Sequence, residues 1–156
     1  MPFTIQGLPA DTFRHLFALP DASLQAQNII RKRVDTKPGY PCRITLEDAE
    51  PGETVLLLNH ESHAAPTPYQ SRYAIYVRER AGSAAFFRDE LPPVMHNRPI
   101  ALRMFDAGGM LVGADMGMNE ALKAKIEAAL ERPDVAYLHA HNAMHGCFVA
   151  EIRRSE

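Results

Sequence analysis

The sequence predicts an α+β fold: a single compact domain over residues 1–156, with a largely antiparallel sheet and a few packed helices. Three observations carry that expectation. Several short segments alternate apolar and polar residues with the two-residue period of a strand. "NEALKAKIEAALE" instead repeats its apolar residues Leu122, Ile126 and Leu130 every four positions, as one helix face does. Two pairs of alternating segments are joined by short loops containing glycine, which suits antiparallel hairpins.

The elements follow in order. "FTIQG" reads as an opening strand. "ADTFRHLFAL" is expected to be a helix capped by Asp11, and Asp21 to cap a second, "ASLQAQN", since an aspartate before the first turn accepts free backbone N–H groups. "IIRKRVD" alternates as a half-exposed strand, "KPGYP" turns, and "CRITL" is expected to be the next strand. After the acidic loop "EDAEPGE", "TVLLLNHE" is the most continuous apolar strand. The proline-broken loop "SHAAPTPYQS" leads into "RYAIYVRER", where Tyr73, Ile75 and Val77 face one way. "PIALRMFD", "AGG" and "MLVGAD" form a hairpin. The helix over residues 119–131 ends at Pro133, and "VAYLHAH" and "CFVAEIR" make the last hairpin.

Composition excludes several function classes. Lys and Arg total 17 against 19 Asp and Glu, a formal charge of −2, so nothing electrostatic favours nucleic acid or an anionic membrane surface. The basic cluster Arg31-Lys32-Arg33 supplies only a small part of the phosphate neutralisation that DNA binding needs. No apolar run approaches the roughly 18 residues of a membrane span, and "MPFTIQGLPADTFRHLF" lacks a secretory layout. Cys42 and Cys147 are too few for a disulfide scaffold, which makes a cytoplasmic protein with reduced thiols the expectation. A small-molecule partner remains open, and the sequence does not determine homo-oligomerisation.

"YLHAHNAMHGCF" (137–148) concentrates three histidines and a cysteine. If its strands pair symmetrically about Asn142–Gly146, His141 lies opposite Cys147, His139 opposite Val149 and Tyr137 opposite Glu151. The reactive groups then share one face, and Leu138, Ala140, Phe148, Ala150 and Ile152 share the core face. A slip of one residue would bring Phe148 beside His141 instead.

Three readings of that face stand. His139 and His141, at i and i+2 on a strand, point the same way and are candidate metal ligands with Cys147 or His145. Imidazole with thiolate favours a divalent ion such as zinc, and metal-activated water would then hydrolyse a small molecule. Alternatively, Cys147 is a catalytic nucleophile beside a histidine, with Asn142 or Glu151 orienting the ring. In the third reading the face is covered by another element, and the domain is a non-catalytic binding or scaffold unit. Tyr137, Asn142 and Arg72 are the candidate ligand-binding residues, the last because guanidinium offers a two-pronged fork to carboxylate or phosphate. His60 shares a face with Leu56 and Leu58 and is expected to end the core there.

"KPGYPCRITLEDAEPGE", "TPYQSRYAIYVRE" and "YLHAHNAMHGCFVAEI" together resemble a bacterial family catalogued as domain of unknown function 1203. The resemblance covers essentially the whole chain and implies no activity. His139 to Asn142 and Gly146-Cys147 match its pattern. Position 145 is frequently not histidine in that family and position 60 is frequently tyrosine, so His145 and His60 are not implied as obligatory ligands. Cys42, within the matching "PGYPC", is implied as a further partner if the fold brings it close.

Overall fold

Nine strands form two antiparallel sheets, and one long helix, α2 (Asn119–Glu131), packs on the larger. The structure is a computed structural model that describes residues 1–156. The larger sheet runs β5 (Phe86–Arg88), β1 (Phe3–Gln6), β9 (Phe148–Arg154), β8 (Tyr137–Asn142), β6 (Ile100–Phe105), β7 (Leu111–Gly117). The smaller joins β2 (Ile30–Arg33), β3 (Thr54–His63) and β4 (Ser71–Arg78). The α+β class read from the sequence is the class observed.

Two apolar clusters hold these layers. In the larger, of 18 buried residues, Leu122, Ile126 and Leu130 of α2 meet Phe3, Ile5, Leu102, Leu138, Ala140 and Ile152. Each of these leucine, isoleucine and phenylalanine side chains contributes roughly 1.5–3 kcal/mol by leaving water. In the second, of 11 residues, Leu56, Leu58, Ile75 and Val77 of the smaller sheet are capped by Ala10, Phe13, Leu16 and Leu24. α2 spans the residues its periodicity predicts, and its three-residue stripe is wholly buried. No helix is long and apolar enough to cross a membrane.

Three local expectations are corrected. "ADTFRHLFAL" forms two short 3-10 segments, Ala10–Thr12 and Arg14–Ala18, and the Asp11 carboxylate binds Arg14 without capping either. Pro9 and Pro20 bracket too few residues for a self-supporting helix, and tight turns suffice to bury Phe13 and Leu16. Asp21 is the first residue of α1 (Asp21–Gln25), and its carboxylate accepts from Arg31 Nε at 2.9 Å. "CRITL" is not a strand. Leu46 takes a positive φ of 54° and its N–H returns to the Cys42 carbonyl, closing a buckle between the sheets. That buckle carries Arg43. It is held by Leu8 N–H on the Arg43 carbonyl and by the Arg43 N–H on the Tyr76 carbonyl.

Candidate functional site

The β8–β9 pairing places Leu138 opposite Ile152, His139 opposite Glu151 and Ala140 opposite Ala150, but His141 opposite Phe148. One extra residue, Val149, is accommodated in β9 at that point. Val149 and Ala150 therefore both enter the larger core, while Phe148 turns to the histidine face. The symmetric register is overturned: Cys147 does not face His141, and Phe148 packs edge-on to His139 at 5.0 Å between ring centroids. The loop is still five residues long but runs from 143 to 147, one position later than expected, with Gly146 at the positive φ of 80° that such a loop needs.

The histidine face is covered. The end of β3 and the start of β4 reach over it, leaving His139 2% and His141 5% exposed. His63 of β3 stacks on Phe105 at 4.1 Å and meets His139 edge-on at 5.2 Å. Tyr73 of β4 meets His141 at 4.9 Å and accepts from Arg103 Nη1 at 3.0 Å. His63 Nδ1–H donates to the Tyr69 carbonyl at 3.1 Å, so its Nε2 accepts from the Tyr137 hydroxyl at 2.7 Å. His141 Nδ1–H donates to the Gly146 carbonyl at 2.9 Å, and His139 Nε2 lies 3.7 Å from Glu151 Oε2.

These surroundings set the charges. Burial pushes His141 down to about 4, outweighing its bond to Gly146. Burial, with His139 alongside, also lowers His63, and burial raises the Tyr137 hydroxyl. Burial works against ionised Glu151, yet His139 and Arg153 together hold it below the usual carboxylate range. The seam between the sheets is thus a layer of aromatic rings and buried imidazoles, of which burial drives His63 and His141 toward the neutral form. No three His, Cys, Asp or Glu side chains converge there, or elsewhere, in a group able to hold a metal ion.

Cys147 belongs to a different place. It sits beyond the bulge on the wall of a cavity of about 430 Å³, lined also by Arg43, Tyr76, Arg98, Asn142 and His145. Arg43 Nη2–H donates to Cys147 Sγ at 3.1 Å, and Asn142 Nδ2–H approaches the same sulfur at 3.6 Å. Arg43 is 1% exposed. Its Nε–H donates to the Phe148 carbonyl at 2.8 Å and Nη1–H to the Pro41 carbonyl at 2.5 Å. Burial lowers the Arg43 guanidinium, with Cys147 opposing that shift. Across the cavity, Asp48 neutralises Arg98 through two hydrogen bonds of 2.7 and 3.1 Å.

Of the residues singled out in the sequence, Cys147 and Asn142 share this cavity, and His139, His141 and Tyr137 share the covered seam. Arg72 is apart from both, exposed on β4, with its Nε–H on Asn59 Oδ1 at 2.5 Å and Glu61 3.7 Å away. Cys42 is fully buried, both cysteines are free thiols, and the Cys42 sulfur accepts from the Ile44 and Thr45 N–H groups. Half-buried His60 packs edge-on to Phe13 at 5.6 Å, at the end of the second core as expected.

Two residues escape a reading by strand period. Arg43 is hidden in "CRITL", where a charge inside an otherwise apolar run beside a cysteine is the available signal. His63 falls at the end of a long strand, where only the tertiary fold brings it to His139. Comparison with curated proteins and with solved structures finds no match. The family model described as "Protein of unknown function (DUF1203)" matches residues 39–154, which hold the Arg43 buckle, both sheets' long hairpins and Cys147. The chain belongs to that family.

Proposed function

We propose that this protein is a thiol-based enzyme whose nucleophile is Cys147, acting on a small molecule held in the cavity beside Arg43 and Asn142. One observation carries the reading: a buried guanidinium directs an N–H at Sγ from 3.1 Å, on the wall of an open cavity. Donors aimed at sulfur favour its anionic form, which is the nucleophilic one. Asn142 adds a second donor, and exposed His145 lines the same cavity. No histidine bonds to Cys147, so the activating partner is arginine where a reading of the hairpin alone favours imidazole. A reducing, cytoplasmic setting would keep the thiol in this state.

The metal reading has less support. The two strand histidines are engaged separately, His141 on the Gly146 carbonyl and His139 beside Glu151, and β3 and β4 cover them.

Alkylation by iodoacetamide at pH 6 tests the thiol reading. Cys147 of the folded chain should react about ten-fold or more faster than the same cysteine in the denatured chain, with labelling assigned by peptide mass. Buried Cys42 should remain unlabelled under the same conditions. Equal or slower labelling of Cys147 would rule out an activated thiol.

A further inference from the structure

Resting on the thiol reading, we infer that Cys147 is a reversible redox switch: a mixed disulfide with an uncharged small thiol removes the counter-charge of buried Arg43 and loosens the joint between the two sheets.

Arg43 is 1% exposed and forms no salt bridge with a carboxylate; its hydrogen bonds end on the Phe148 and Pro41 carbonyls and on Cys147 Sγ. The two buried carboxylates, Asp48 and Glu53, are committed to Arg98 and Arg78. An anionic Cys147 is then the group that balances the guanidinium. Cys42 is fully buried, so the sulfur that a small reagent reaches is Cys147, partly exposed on the cavity wall. Removing one partner of a buried ion pair is strongly destabilising, because the charge left behind has lost both water and its counter-charge.

That loss falls on a joint. The Arg43 side chain holds the Phe148 carbonyl of β9, in the larger sheet, and its backbone N–H holds the Tyr76 carbonyl of β4, in the smaller. The Arg43 carbonyl takes the Leu8 N–H. The cavity straddles this joint, with Pro41 and Tyr76 from one side and Asn142 and Cys147 from the other. An unpaired guanidinium is relieved by moving toward water, which draws the buckle away from β9 and opens the cavity whose nucleophile has just been blocked.

The covalent step is thiol–disulfide exchange. The Cys147 electron pair attacks one sulfur of a low-molecular-weight disulfide, a new S–S bond forms, the old one breaks, and the other half leaves as a thiolate. Cys147 is oxidised, the departing half is reduced, and excess small thiol reverses both. The negative charge departs with the leaving group.

Methanethiosulfonate reagents install mixed disulfides of chosen charge on the intact chain, with methanesulfinate as the leaving group and the site assigned by peptide mass. The methyl adduct is small and neutral; the sulfonatoethyl adduct is bulkier and anionic. Size alone makes the methyl adduct the milder change, whereas charge makes it the more damaging. The methyl adduct should lower the urea midpoint by about 1 M or more, and the sulfonatoethyl adduct by less than half as much. Dithiothreitol should restore the starting value in both. Amide exchange at Leu8, Arg43 and Leu46 should accelerate about ten-fold or more in the methyl adduct, with the α2 amides unchanged. Without any reagent, Cys147→Asn should unfold at a lower midpoint than Cys147→Asp. A methyl adduct as stable as the unmodified chain, or no less stable than the sulfonatoethyl adduct, would overturn the inference. Failure of the thiol reading shows elsewhere: Cys147 then labels no faster than in the denatured chain, while the two adducts still report whether Arg43 responds to charge at that sulfur.

Discussion

Gly7 is where the main chain of the N-terminal segment comes closest to the buckle. A Cβ built there would sit 2.0 Å from the Ile44 carbonyl oxygen, a backbone atom fixed by the Ala85 N–H. Gly7→Ala should therefore cost about 1–3 kcal/mol, as overpacking does, read as a lower midpoint in urea unfolding. Tyr137→Phe acts by loss rather than crowding. It removes the donor to His63 Nε2 and leaves a buried acceptor unpaired, for about 1–3 kcal/mol. The pH dependence belongs to His141, whose pKa falls from 6.5 to about 4 on folding. The unfolded chain binds this proton more readily, so the stability it contributes is complete above about pH 6.5 and disappears as the pH falls toward 4. The span is on the order of 3 kcal/mol. Unfolding midpoints at pH 7.5 and 4.5 measure it, and His141→Gln should flatten the difference. An unchanged midpoint in the wild type would refute the assignment.

At the scale of elements, α2 is the part most legible in the sequence, because its stripe depends on local spacing alone. Ile126→Ala should cost about 2–5 kcal/mol, the range for cutting back a fully buried aliphatic side chain, measured by chemical denaturation. The long strands were readable for a similar reason: the continuous apolar run in residues 54–61 and the alternation in residues 72–78 are properties of each strand by itself. What stayed hidden depends on partners. The bulge at Val149 lies in the pairing of β9 with β8, and strand period does not locate it. "CRITL" has the composition of a strand, yet it joins the open edge of β4 only through a single bridge from Cys42 to Tyr76 before its backbone folds back on itself at Leu46. Half of the candidate site was therefore visible. Cys147 and Asn142 stand out in the hairpin, but Arg43 reaches them from over a hundred positions earlier in the chain.

At the scale of the molecule, two apolar clusters meet across a polar layer of His63, Tyr73, Arg103, His139 and His141. The smaller sheet has the smaller cluster and one face of that layer, so it should open first. Native-state hydrogen exchange should give β3 and β4 amides a lower opening free energy than those of β8 and β9, and the gap should widen toward pH 5 as imidazoles protonate. Identical opening energies throughout would mean that the layer joins the sheets as firmly as a core does. The extra residue in β9 has a further consequence, one of counting. Side chains before Val149 and after it belong to opposite phases of the strand, so Phe148 can meet the histidine face while Ala150 and Ile152 fill the core. Replacing a residue there changes a contact; adding or removing one exchanges inside for outside along half the strand. Across the family, residues 148–152 should vary in identity while keeping a constant length, and the turn at 143–146 is where a change in length can be absorbed.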